Sequence, residues 1–130
     1  TYTITVSGTG GGTTHTATVA LTVTTAASGT FTISVSPSSG YLDQGQSGYA
    51  VVTTAVSGGF DSTITFSASG QPSGVTVSFS PASIAAPGSG TTDMNITVSR
   101  SAKTGTYPIT VTGTGGGVTK TTTLSLQVRR

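Results

Sequence analysis

Apart from four tyrosines, the ionisable side chains of this 130-residue chain are Asp43, Asp61 and Asp93, the single His15, and the cations Arg100, Lys103, Lys120, Arg129 and Arg130. Acid–base catalysis needs two carboxyl groups close together in different environments. Here Asp43 and Asp61 stand among turn-forming residues, where Asp bonds its own backbone, and Asp93 opens an alternating apolar run. Calcium prefers six or more oxygens, several of them carboxylate. Asp61 with backbone carbonyls is the one candidate metal ligand, and no cofactor is expected. His15 could serve a metal or a serine nucleophile only with partners, and the matching position 105 residues on is Lys120. Gly10-Gly11-Gly12 and Gly115-Gly116-Gly117 would suit a phosphate loop if a helix followed. A Thr-rich β-type segment follows each, so both read as hairpin turns. Asn95-Ile96-Thr97 is a glycosylation sequon. A Lys–Asn cross-link would need Lys103 or Lys120, Asn95 and a buried acid. None of these groups assembles catalytic chemistry.

The elements that carry these residues are written in hydroxyls. Charged residues are 6 % of the chain, against roughly 25 % in ordinary soluble proteins, while Thr and Ser together exceed one third. Thr is β-branched and favours extended backbone. The five cations are not one cluster in the sequence and no aromatics interleave with them, so a nucleic-acid surface is not expected. No apolar run approaches the ~18 residues of a membrane-spanning helix. Cysteine is absent, so neither disulfides nor thiolate metal sites contribute. A sandwich of about 100 residues can enclose a core without them.

Residues 1–23, TYTITVSGTGGGTTHTATVALTV, return as residues 106–128, TYPITVTGTGGGVTKTTTLSLQV, with 15 of 23 positions identical. A duplication of this length reads as a tandem array. Residues 1–24 are therefore expected to be the closing hairpin of a preceding or partner repeat, residues 25–30 a linker, and residues 31–130 a complete repeat. Within it, period-2 alternation gives seven strands: Phe31-Ile33-Val35, Tyr49 to Val52, Ile64-Phe66-Ala68, Val75-Val77-Phe79, Met94-Ile96-Val98, Tyr107-Ile109-Val111 and Leu124-Leu126-Val128. Gly, Pro, Asp and Ser turns bound them. The fold class expected is all-β, an immunoglobulin-like antiparallel β-sandwich of about seven strands preceded by the hairpin. Its core should hold Ile33, Val51, Ile64, Phe66, Val77, Phe79, Ile96, Tyr107, Ile109, Val111, Leu124 and Leu126. Tyr107, two residues after Gly105, fits a tyrosine corner whose hydroxyl returns to upstream backbone. Ile4, Val6, Val19, Leu21 and Val23 stand where Ile109, Val111, Leu124, Leu126 and Val128 stand in the second copy, and are the candidate interface.

The stretches Gly58-Gly59-Phe60-Asp61-Ser62-Thr63-Ile64, Pro72-Ser73-Gly74-Val75 with Phe79-Ser80-Pro81, and Gly105-Thr106-Tyr107 with Ile109-Thr110-Val111 resemble bacterial and archaeal immunoglobulin-like repeats. The resemblance implies a module of a secreted or cell-surface protein, strung in stalks or appended to a hydrolase, and it carries no catalytic residue. The expected function is a non-enzymatic spacer whose partners are neighbouring repeats or copies of itself. An adjacent hydrolase domain or a surface glycan is a further expected partner; nucleic acid and membrane insertion are not. Two alternatives stand beside this: a subunit of an extracellular filament joined by strand complementation through residues 1–24, and an accessory carbohydrate-binding module using Tyr41, Tyr49 and Phe60.

Overall fold

A computed structural model describes residues 1–23 and 29–130. The linker expected over residues 25–30 falls mostly outside the described residues. Among them there is no helix, and hence none long and apolar enough to cross a membrane.

The first two strands, β1 (Tyr2–Gly10) and β2 (Thr13–Leu21), make a sheet of their own. Two glycines join them, Gly11 at φ 59° and Gly12 at φ 79°. Positive φ at both central residues is the type I′ requirement, and that turn's twist matches the strands it joins.

Among the described residues nine strands make the sandwich: β3 (Thr30–Ser36), β4 (Ser39–Asp43), β5 (Ser47–Ser57), β6 (Ile64–Ser69), β7 (Val75–Ser80), β8 (Ser83–Ile84), β9 (Gly90–Val98), β10 (Gly105–Gly115) and β11 (Val118–Arg129). One sheet runs β3-β5-β9-β7 and the other β4-β11-β10-β6-β8. Without β4 and β8, this is the four-plus-three strand order of the constant-type immunoglobulin sandwich. The expected seven strands are present.

The two additional strands have local causes. Pro37 has no N–H to donate, so the β3 ladder stops there. The chain then crosses to the opposite sheet, where β4 pairs in parallel with β11 from Ser125↔Ser39 to Arg129↔Asp43. The sandwich is thus antiparallel except at this edge. β8 extends β6 by two residue pairs, Ile64↔Ile84 and Thr65↔Ser83.

Alternation decides what is buried. Ile109, Val111, Leu124, Leu126 and Val128 face inward from β10 and β11, onto Ala50, Val52, Met94 and Ile96 of the other sheet. In β5 the inward face is the opposite of the one expected from Val51. Ala50, Val52 and Thr54 point inward, and Val51 is only partly buried. That segment is apolar on both faces, so periodicity alone does not choose between them. Phe66, Val77, Phe79, Ile33 and Tyr107 pack on the core but are likewise partly buried. Phe66 and Phe79, ring centroids 5.7 Å apart, close the side of the sandwich where β6 and β7 are near its edges. A second cluster forms where the chain enters: Phe31 and Phe60 meet edge-on at 5.3 Å, with Ile64 beneath. Among the described residues two hydroxyls are buried in the interior, Thr54 and Thr92, and both are satisfied. Thr54 Oγ1 donates to Gly88 O at 2.5 Å, and Thr92 Oγ1 donates to Pro81 O.

The chain enters this sandwich at one end and leaves at the other. Thr30 pairs with Ser57, beside Phe60 and the β10–β11 turn. Arg129 ends β11 at the far end, where its carbonyl accepts the Gln44 N–H.

Candidate functional site: the duplicated hairpin

The two copies of the repeated segment have the same geometry. β1–β2 pairs Tyr2↔Leu21 and Ile4↔Val19, and β10–β11 pairs Tyr107↔Leu126 and Ile109↔Leu124. Each pair in the second copy is its counterpart moved by 105 residues. The turns agree as well, with Gly116 at φ 55° and Gly117 at φ 76°.

Their surroundings differ. Ile109, Val111, Leu124, Leu126 and Val128 are 0–3 % exposed, whereas Ile4, Val6, Val19, Leu21 and Val23 are 46–63 % exposed. Both edges of β10–β11 are partly paired, Thr110–Thr114 with β6 and Ser125–Arg129 with β4. Among the described residues the edges of β1–β2 carry no third strand, and every residue of both strands is exposed. Unpaired N–H and C=O groups beside an apolar stripe are a template for strand association.

Tyr107 and Gly105 sit at the start of β10. The Tyr107 hydroxyl lies 3.2 Å from Lys103 O and 3.3 Å from Thr104 O, within reach to donate to either. Gly105 has φ +150°, and a Cβ there would come within 3.1 Å of that hydroxyl. The glycine both adopts the backbone angle and leaves room for the ring.

The other candidate groups do not come together. Asp43 ends β4 and pairs with Arg129, Nε to Oδ1 at 3.3 Å, both side chains being well exposed. Asp61 lies in the entry-end loop, Asp93 faces outward on β9, and His15 stands opposite Gly8 on the exposed hairpin. Among the described residues no three His, Asp or Glu side chains converge as a metal site would require. Phe60 is buried in the entry-end cluster, so it cannot serve as a sugar platform. Tyr41 and Tyr49 are exposed and flank a shallow cleft of about 120 Å³ floored by Ile96, Leu124 and Leu126. One face of Tyr41 carries the Arg129 guanidinium, 3.3 Å from the ring centroid.

Folding also gathers charges that are scattered in sequence. Arg100 lies against Gly45, the Gln44 amide donates to Ala102 O at 2.6 Å beside Lys103, and the Gln44 N–H donates to Arg129 O. Arg100, Lys103, Arg129 and Arg130 are therefore neighbours at the exit end. Lys120, opposite Gly113, lies near the entry end.

No protein-family model and no curated protein matches the sequence. Solved structures do share the fold. Domains 4 and 5 of the S-layer protein SbsC superpose with a TM-score of 0.59 and 21 % identity, over 92 % of this chain and 61 % of that one. A structure of domains 1–6 of the same surface-layer protein gives 0.56 and 22 %, over 98 % of this chain and 16 % of that one. A family 123 glycoside hydrolase from Clostridium perfringens gives 0.50 and 13 %, over 76 % of this chain and 27 % of that one. This chain is similar in fold to domains of a cell-surface protein. It spans less than two thirds of each of these chains.

Proposed function

We propose that this chain is a non-enzymatic structural repeat of a secreted or cell-surface multidomain protein, and that residues 1–24 are the closing hairpin of another repeat. The observation that carries this is the duplicated hairpin, which keeps its pairing register, its turn and its apolar positions at a spacing of 105 residues. The path of the chain supports it. Entry and exit lie at opposite ends of the sandwich, so successive repeats follow one another end to end. The likeness to SbsC domains supports a surface role. It extends over 98 % of the chain, although residues 29–130 make up less than four fifths of it, so it includes hairpin residues as well as the sandwich.

The surface chemistry suits such a role. A Thr- and Ser-rich exterior with 6 % charge offers few cleavage points to trypsin-like proteases and responds little to salt. The three acids are dispersed and the one histidine is replaced by Lys120 in the other copy. That leaves the chain a mechanical part, with neighbouring repeats or its own copies as partners. A filament joined through residues 1–24 is the second reading, favoured by the exposed stripe and free edges of the hairpin.

Small-angle scattering on one, two and three tandem copies of residues 25–130 tests the array. β10 and β11, at about 3.3 Å per residue, make each sandwich about 35–40 Å long. The maximum dimension should grow by about that length per copy, and growth in width alone would reject the end-to-end reading. Protease shaving of intact producing cells should release the parent protein; a parent released only on lysis would reject the surface assignment.

A further inference from the structure

The structure contains its own template for what covers the exposed hairpin. β10–β11 shows which surface a hairpin of this sequence occupies. It fits the inner face of the β3-β5-β9-β7 sheet, with one edge on β6 and the other on β4. We propose that residues 1–23 are a docking element for the corresponding front part of a second sandwich of this kind, with strands equivalent to β3–β9 and its own closing hairpin absent. The inference deepens the repeat reading and rests on it.

Chain length rules out the hairpin's own sandwich as acceptor. To take the place of residues 106–128, Val23 would have to lie where Val128 lies. The β10–β11 turn is at the entry end, beside Phe60 and Ser62. Val128 is ten residues further along β11 from Val118, roughly 33 Å at the strand rise. Only seven peptide units connect Val23 to Thr30, and these reach at most about 25 Å fully extended.

An intact second copy is also a poor acceptor, because its site is filled by a tethered hairpin with a better fit. Across the two segments, Leu124 of the core corresponds to Val19, and Val118, packed on the Phe31–Phe60–Ile64 cluster, corresponds to Thr13. Thr122, partly buried, corresponds to Ala17. The other inward positions keep the same residue: Ile4, Val6, Leu21 and Val23 match Ile109, Val111, Leu126 and Val128. The cognate acceptor is therefore a front part with slightly larger side chains opposite Val19 and Ala17. The free edges of β1 and β2 would gain backbone hydrogen bonds from it, as in strand addition.

A graft within the full chain tests the fit. Residues 106–128 are changed to the sequence of residues 1–23 at the eight positions that differ, including Val118→Thr, Thr122→Ala and Leu124→Val. The graft should unfold cooperatively, with a Tm no more than about 15 °C below the parent, the shift expected for one lost methylene and two smaller contacts in a domain of this size. A graft with no cooperative transition overturns the proposal. A second variant of the full chain, Ile109→Asp with Leu124→Asp, empties the front part. Its copies should associate by accepting one another's residues 1–23, and Ile4→Asp with Leu21→Asp should abolish that association in sedimentation. Monomers in the first case, or association that persists in the second, also overturn the proposal. Scattering from tandem copies reads the array independently, so a graft that folds while the copies fail to extend would remove the array and leave the docking intact.

Discussion

At the residue scale, the corner at the start of β10 ties that strand to the loop before it. The Tyr107 hydroxyl lies beside two successive carbonyls, Lys103 and Thr104, in the loop before its strand. Tyr107→Phe should therefore lower stability by about 0.5–1.5 kcal/mol, the net contribution of one hydrogen bond, read from urea unfolding. Gly105→Ala should cost more, about 1–3 kcal/mol, because it forces φ near +150° on an L-residue and drives a methyl into the same hydroxyl. If Gly105→Ala proves the milder change, the corner does not depend on the glycine. The buried Thr92 hydroxyl gives a second residue-scale test. Thr92→Val leaves Pro81 O without its donor and should cost about 1–3 kcal/mol. The exposed Asp43–Arg129 pair should contribute less than about 1 kcal/mol, as exposed ion pairs do.

At the element scale, the two copies of the hairpin form a natural control pair. Leu124 and Val19 occupy the same register position, one 3 % exposed and the other 55 %. Leu124→Ala should destabilise the sandwich by about 2–5 kcal/mol. Val19→Ala should stay within about 0.5 kcal/mol in the isolated chain, as surface changes do. A large effect of Val19→Ala in dilute monomer would mean that the hairpin packs on the sandwich. The aromatic pairs divide in the same way. Phe31 is fully buried against Phe60, so Phe31→Ala should cost about 3–5 kcal/mol. Phe66 is only partly buried against Phe79 and should fall below that range.

At the scale of the whole molecule, the sandwich should be self-sufficient and the hairpin dispensable to it. β3–β11 have a core of their own, in two clusters that both contact Ile33 and Phe66, and no residue of β1 or β2 contributes to it. Deleting residues 1–24 should leave the Tm of the remainder within a few degrees of the full chain. Deletion that unfolds the remainder would show the hairpin to be part of one domain. Chelator should leave the Tm unchanged, since the three acids are dispersed; a fall of several degrees would implicate Asp61 in a cation site.

The strands, the hairpin turns and the duplication were legible in residue order, because each rests on local chemistry: period-2 alternation, paired glycines that accept positive φ, prolines that end ladders. The duplicated hairpin was legible as a candidate interface for the same reason, since comparing two stretches of one chain needs no coordinates. The phase of β5 was not legible, because Tyr49-Ala50-Val51-Val52 is apolar on both faces and only the opposing sheet selects Ala50 and Val52. The parallel β4 edge was not legible either, since its partner β11 lies more than eighty residues away and its own five residues alternate weakly. Nor was the burial of Phe60 or the gathering of four cations at the exit end, which depend on which loops share an end of the sandwich. Residue order alone determined that this chain is made of short Thr-rich strands and that one hairpin sequence occurs in it twice. Only the tertiary structure decided that chain entry and exit lie at opposite ends and that one of two similar hairpins is buried while the other is exposed. Burial and direction depend on contacts distant in sequence, and no local pattern encodes them.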